Sequence, residues 1–278
     1  MTPMRQRLPH PPQRKRRRRR ITVATFLFAL FAVLFANIAP ARAISGDIHY
    51  QATWAWGRAV DTPGPGWQVT NDLGYLVTVE EGYLASYSTE LVECARQDTP
   101  SLLEQILGAI NPGVALAGHS QGPNPAAVAV SRVESLAEPA SVDLGQVSVS
   151  YATYCQGHYL LARATPDAVN LPASDAIGTT LYLQGTYQLG DDEAVPFVIE
   201  TNLAWGGMSD LYLADAPDQP IYAAISRDAL QVTIERDLGT LFDGVDFATT
   251  DAEARAKTIL RTFTSNARFI ITGGKTHE

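Results

Sequence analysis

The chain has 278 residues and carries 21 Lys and Arg against 29 Asp and Glu, which gives a formal net charge of −8 at pH 7. The basic residues are concentrated at the N-terminus: from Ile44 onward, 11 Lys and Arg stand against 29 Asp and Glu, a net charge of −18. This acidity makes nucleic acid and anionic lipid surfaces poor partners, although it is explained equally well by solubility.

The first 43 residues have the three parts of a secretory signal. Nine of the first twenty residues are Lys or Arg, Ile21 to Ala39 is an apolar run, and Pro40-Ala41-Arg42-Ala43 ends in an A-x-A cleavage pattern. We therefore predict a signal peptide over 1–43 and a single β-rich exported domain over 44–278, periplasmic or secreted, with no stable membrane span after cleavage. An uncleaved membrane anchor remains the alternative, and Arg19-Arg20 leaves both Sec and twin-arginine export open.

The exported domain contains two cysteines, Cys94 and Cys155. An isolated pair of cysteines in an oxidising compartment is expected to form a disulfide. Because bonded sulfurs cannot act as thiolate ligands, any metal site would have to use other side chains.

Period-two alternation of apolar and polar residues dominates the exported domain and predicts β-strands. In the first strand, Ile48, Tyr50 and Trp54 share an apolar face, whereas His49 lies on the polar face. Alternation on both sides of Glu81-Gly82 predicts a tight hairpin there.

The rest of the chain continues this pattern and contains few helices. Ser101 to Ile110 is predicted as a short helix closed by Asn111-Pro112-Gly113, and Ala115 to Pro139, rich in small residues and proline, as a long excursion. Trp205 to Met208 is predicted as a turn. Further strands are predicted over 146–162, 179–189, 195–204, 221–225 and 230–235, and a second helix over 252–263. The strands over 179–189 and 195–204 are predicted to form a hairpin around Asp191-Asp192-Glu193. Because strands follow strands without intervening helices, we predict an all-β, antiparallel β-sandwich-like fold with two short helices.

One short motif points to an enzyme. Gly118-His119-Ser120-Gln121-Gly122 matches the G-x-S-x-G pattern of a nucleophile elbow, and His277 follows it in the expected chain order. However, Pro123-Asn124-Pro125 stands where the helix of an elbow should begin, and no alternation of strands and helices precedes the motif. A secreted serine hydrolase with Ser120 as nucleophile is therefore an alternative, and we assign no catalytic residue.

Three histidines of the exported domain are candidate metal ligands: His49, His119 and His158. His49 and His158 lie on the polar sides of their predicted strands, and His119 lies in the small-residue segment. With the cysteines in a disulfide, three imidazoles are suited to copper or zinc in an oxidising compartment. We predict copper as the cofactor, with zinc as the alternative metal. The spacing matches no ligand motif, and three unrelated surface histidines would give the same pattern.

The C-terminal part, roughly residues 179–266, resembles periplasmic copper proteins of the methanobactin-associated (MbnP-like) family. The points of likeness are Leu181-Tyr182-Leu183-Gln184-Gly185, a strand ending at Asp237, the run Leu241-Phe242-Asp243-Gly244-Val245-Asp246-Phe247, and a helix after it. The resemblance implies a β-rich exported protein that holds copper through histidines, although no ligand position of the family can be carried over to this sequence.

These observations together predict an exported metal-binding protein that stores or delivers copper or exchanges electrons with a periplasmic redox or delivery protein. Enzymatic turnover is not implied. The alternatives are the serine hydrolase and a metal-free surface or adhesion module whose acidity only keeps it soluble.

Overall fold

The computed structural model describes residues 45–94, 124–172, 176–225, 229–273 and 275–277. Within these ranges the chain forms fourteen β-strands, a 3₁₀ turn at Leu238–Thr240 and one α-helix, α1, at Ala252–Ser265. The strands are β1 (Ser45–Ala55), β2 (Val60–Asp61), β3 (Trp67–Thr70), β4 (Tyr75–Glu93), β5 (Ala127–Ser135), β6 (Val142–Ser150), β7 (Thr153–Leu161), β8 (Leu181–Leu189), β9 (Val195–Thr201), β10 (Trp205–Leu213), β11 (Ala216–Ala224), β12 (Leu230–Asp237), β13 (Arg268–Gly273) and β14 (Lys275–His277). The all-β prediction is confirmed, and so is its second helix, whereas the helix predicted over 101–110 lies outside the described residues.

The strands join into one hydrogen-bonded, curled sheet with the order β2-β3-β4-β7-β11-β10-β13-β12-β1-β6. β5 and the β8–β9 hairpin branch from β4, β14 pairs with β11, and β10 also pairs with β7. Most pairings are antiparallel, but β1 pairs with β12 and β10 with β13 in parallel. The sheet is therefore mixed, and the prediction of a purely antiparallel arrangement is wrong at these two ladders.

Strand β4 is a single strand of 19 residues. The hairpin predicted at Glu81-Gly82 is therefore wrong, because these residues lie inside the strand, at a register shift in its pairing with β8. Gly82 serves close packing here instead of a turn: a Cβ atom at this position would lie 2.8 Å from Leu183 Cδ2 and 2.9 Å from Tyr182 O. The uninterrupted strand contacts β3, β5, β7 and β8 along its length.

Two further segments differ from their predictions. Residues 205–208 belong to β10 and not to a turn, and residues 127–135 of the predicted excursion form β5. Both became strands because a neighbouring strand pairs with them: β7 with β10, and β4 with β5. The hairpin of β8 and β9 around residues 191–193 is confirmed.

The disulfide prediction is confirmed. Cys94, directly after β4, is bonded to Cys155 on β7, and their Cα atoms lie 5.0 Å apart. Since β4 and β7 are paired antiparallel, the bond joins neighbouring strands and closes a loop with a sequence separation of 61. Disulfides persist in oxidising compartments, so this one indicates an environment outside the cytoplasm.

Helix α1 packs against β7, β9 and β10 of the curled sheet. Asp251 caps its first turn, with its carboxylate accepting from Ala254 N at 2.7 Å. Apolar residues spaced three and four apart give the helix one buried face; they are Ala256, Ile259, Leu260 and Phe263. Phe263 meets the ring of Trp54 edge-on at 5.5 Å, which links the helix to β1.

A polar cluster lies inside the sheet, centred on Arg236, which is 1% exposed, and on Glu134, which is 5% exposed. Ser86 donates to Glu134, the hydroxyl of Tyr159 accepts from Arg236, and the guanidinium lies 4.0 Å from the Trp54 ring centroid. Burial raises the pKa of Tyr159 to about 12, so its hydroxyl stays neutral. Burial opposes the charge of Arg236, but Glu134 and Tyr159 outweigh it and raise the pKa of the guanidinium.

Residues 241–247, between the 3₁₀ turn and helix α1, pack into the core. Phe242 and Phe247 are buried, with ring centroids 6.0 Å apart. The Asn71 side chain holds this run by donating to Phe242 O at 3.1 Å and to Val245 O at 2.9 Å. Tyr75 adds a hydrogen bond from its hydroxyl to Asp246 at 2.9 Å.

Candidate metal-binding residues

The structure places two of the three predicted histidine ligands. His49 lies on β1 and His158 on β7, each on the face of its strand opposite the buried residues, as predicted. His119 lies outside the described residues. Strands β10, β13 and β12 stand between β7 and β1, which corresponds to about 19 Å along the sheet at the usual strand spacing. His49 and His158 therefore lie on strands that are not neighbours, each with its own polar partners, and they belong to no common metal-binding group among the described residues.

Both ring nitrogens of His49 are occupied by neighbouring side chains. Nδ1 lies 2.7 Å from Gln231 Oε1 on β12, and Nε2 lies 3.1 Å from Asp143 Oδ1 on β6. A metal ligand must present a nitrogen lone pair, and His49 could do so only after releasing one of these partners. These two contacts link β1 to β12 and to β6, the strands on each side of it, and they account for the position of His49.

One ring nitrogen of His158 has a carboxylate partner, and the other is open, meaning that it has no hydrogen-bond partner among the described residues. Its Nδ1 lies 3.0 Å from Glu90 Oε1 on β4, and the two side chains are 24% and 23% exposed. A carboxylate that accepts from Nδ1–H fixes the tautomer and leaves the Nε2 lone pair for a metal. Nε2 is directed over β10, since a Cβ atom added at Gly206 would lie 2.8 Å from it.

Met208 stands directly opposite His158 on β10, as Glu90 does on β4. Glu90, His158 and Met208 thus form a row across three adjacent strands, the Glu90–His158–Met208 row. Met208 is 48% exposed and points to the outer face of the sheet, on which opposing residues have Cβ atoms about 4.5–5.5 Å apart. No pattern in the sequence pointed to Glu90, and Met208 was predicted to lie in a turn, because the row exists only through the register of β4, β7 and β10.

Among the described residues, no three His, Cys, Asp or Glu side chains converge as a group that could hold a metal ion. The disulfide removes both cysteine sulfurs from consideration. The outer face of the sheet carries the imidazole of His158, with the carboxylate of Glu90 on one side of it and the thioether of Met208 on the other.

The structure leaves the hydrolase alternative as a prediction. Ser120 and its motif lie outside the described residues, and His277 is described only through the backbone pairing of β14 with β11.

A polar cavity of about 560 Å³ lies where β12 ends and β13 begins. Glu235 and Arg268, which oppose each other on these strands, line it, together with Asp237 and Tyr212. Arg268 lies over the Tyr212 ring, 5.1 Å from its centroid. Neither His49 nor His158 lines this cavity.

No protein-family model, no curated protein and no solved structure matches the chain. The likeness to methanobactin-associated proteins therefore stays a prediction. In the described part of the chain, no helix is long and apolar enough to cross a membrane.

Proposed function

We propose that the protein is an exported copper-binding protein that acts in the periplasm or after secretion. The observation that carries the proposal is the hydrogen bonding of His158: Glu90 holds Nδ1, and Nε2 lies over Gly206 of β10 without a hydrogen-bond partner among the described residues. A carboxylate behind a histidine is the usual support of a metal-ligating imidazole.

The cellular context supports copper. The chain has the pattern of a secretory signal, and its disulfide belongs to an oxidising compartment. Imidazole is a good ligand for copper and zinc, and copper binds more tightly than zinc to a given set of nitrogen donors. The resemblance of residues 179–266 to methanobactin-associated copper proteins points the same way.

The placement of the row favours delivery over storage. It lies on the outer face of the sheet, where Met208 is about half exposed, so a bound ion would be accessible to another protein. A periplasmic redox or delivery protein is the partner that this exposure suits.

Copper binding by paired variants tests the proposal. Copper content is measured in protein recovered from the exported fraction, and affinity is measured by titration, for the parent, His158→Ala and His49→Ala. We expect His158→Ala to lose binding and His49→Ala to keep it, because both nitrogens of His49 already have partners. Equal binding by the parent and His158→Ala would refute the proposal, and a preference for zinc would correct the metal.

Substitution of Glu90, the carboxylate that contacts the proposed ligand His158, tests the same site through a smaller loss of metal affinity. Glu90→Gln keeps the shape of the side chain but weakens the hold on Nδ1–H. Loss of such a partner typically lowers metal affinity about 10- to 100-fold, less than loss of the ligand itself. Unchanged affinity in Glu90→Gln would show that the Glu90 carboxylate does not support the proposed ligand.

A further inference from the structure

We infer that Met208 is the second ligand and that the Glu90–His158–Met208 row selects Cu(I) over Cu(II) and Zn(II). This inference rests on the proposed function and deepens it, because it names the oxidation state of the bound ion. It is carried by the register of β7 and β10, which sets Met208 directly opposite His158.

The location of Met208 is unusual for a methionine. The chain has three methionines, and the other two, Met1 and Met4, lie in the predicted signal. The exported domain therefore has a single thioether, and that thioether is 48% exposed on the outer face of β10, opposite an imidazole with an open nitrogen. Burial of the side chain in the core cannot explain its position.

Gly206 lets the imidazole of His158 lie close to β10, on the face that carries Met208. Residues 206 and 208 of a strand point to the same face, and a Cβ atom at Gly206 would lie 2.8 Å from His158 Nε2. A larger residue would fill the volume beside this nitrogen. The flexible Met208 side chain, with three rotatable bonds, can bring its sulfur into that volume.

The donor set determines which ion fits. A thioether is a soft ligand that selects Cu(I), whereas zinc in proteins takes thiolate, imidazole or carboxylate ligands in a four-coordinate site. Among the described residues, no group of three His, Cys, Asp or Glu side chains offers such a set here. One imidazole and one thioether satisfy Cu(I), which accepts low coordination numbers, better than Cu(II) or Zn(II).

NMR of the full chain labelled with [methyl-¹³C]methionine tests this assignment directly. The methyl resonance of Met208 is identified by its loss in Met208→Leu, a variant of similar volume without sulfur. Cu(I), supplied anaerobically as its acetonitrile complex, is expected to shift this resonance, and Zn(II) is expected to leave it in place. Titration with Cu(I) in competition with a chromogenic chelator is expected to show a loss of affinity in Met208→Leu greater than about tenfold, with Cu(II) binding unchanged.

The possible outcomes separate this inference from the proposed function. If copper binds through His158 but the Met208 resonance stays in place and Met208→Leu binds Cu(I) like the parent, the inference is wrong and the proposed function stands. If the parent binds copper in neither oxidation state, the proposed function fails, and the inference fails with it.

Discussion

Arg236 on β12 and Glu134 on β5 form a two-pronged ion pair in the interior of the sheet, with Nη2 2.7 Å from Oε2 and Nη1 2.9 Å from Oε1. The two residues are 102 positions apart in the sequence, and neither is more than 5% exposed. A buried charge is tolerated only when its partners satisfy it, so this pair joins β5 to the opposite part of the sheet.

Removing one member of the pair should destabilise the fold strongly. In Glu134→Gln the guanidinium stays buried without its counter-charge, and we expect the free energy of unfolding to fall by about 3–5 kcal/mol. Urea unfolding measures the change. Glu138→Gln, at an exposed position of the loop after β5, is the matched control and should change the free energy by less than about 0.5 kcal/mol. Similar effects of the two variants would show that the pair does not stabilise the fold.

Gly206→Ala should weaken copper binding at the proposed site while the fold is preserved. The added methyl group would lie 2.8 Å from His158 Nε2, the nitrogen proposed to bind copper, so we expect copper affinity to fall at least about tenfold. Because position 206 is exposed, the free energy of unfolding should change by less than about 1 kcal/mol. Undiminished copper binding in a folded variant would mean that the ion does not reach Nε2 from the side of β10.

The disulfide should contribute to stability without taking part in metal binding. Closing a loop with a sequence separation of 61 corresponds to about 4 kcal/mol in the chain-entropy account. The double variant Cys94→Ser and Cys155→Ser should therefore unfold at lower urea concentration and lower temperature, and at a permissive temperature it should bind copper like the parent. Loss of copper binding by the folded double variant would count against the row on the outer face as the metal site.

Asp246 should make the stability of the protein sensitive to acid. Hydrogen bonds from the hydroxyls of Thr249 and Tyr75 and from Ala248 N hold the pKa of its carboxyl below the ordinary value of 3.8. The folded state therefore favours the ionised form, and its contribution to stability is complete above the unfolded pKa and is lost as the pH falls through the lower, folded pKa. We expect Asp246→Asn to be less stable than the parent at about pH 6 and the difference to shrink towards about pH 2. Urea unfolding at several pH values measures this, and a constant difference at all pH values would contradict it.

Local patterns in the sequence predicted the features that depend on neighbouring residues. Alternation placed Ile48 and Tyr50 in the core and His49 on the outer face, and helical spacing placed α1 within two residues of its observed end. The presence of only two cysteines in a domain predicted to be exported led to the prediction of the disulfide. Each of these inferences rests on the period of a strand or helix or on a residue count, and none needs to know which strands are neighbours.

Local patterns were wrong where strand neighbours decided the outcome. Glu81-Gly82 has the composition of a turn, yet the chain continues straight through it because β8 pairs on both sides of it. Trp205 to Met208 also has the composition of a turn, but it forms a strand because β7 and β10 pair there. Turn-forming residues permit a reversal of the chain, but only tertiary packing determines whether it occurs.

The sequence by itself determined an acidic, β-rich and disulfide-bonded chain. It also predicted export and named His158 among its candidate ligands. The tertiary structure decided that Glu90, 68 residues away, holds one nitrogen of that histidine and that Met208 stands opposite it. It also separated His49 from His158 and gave His49 partners of its own. The physical reason is that strand order and register arise from burial of the whole core, summed over many distant contacts, whereas a sequence pattern reports only which face of its own strand a residue occupies.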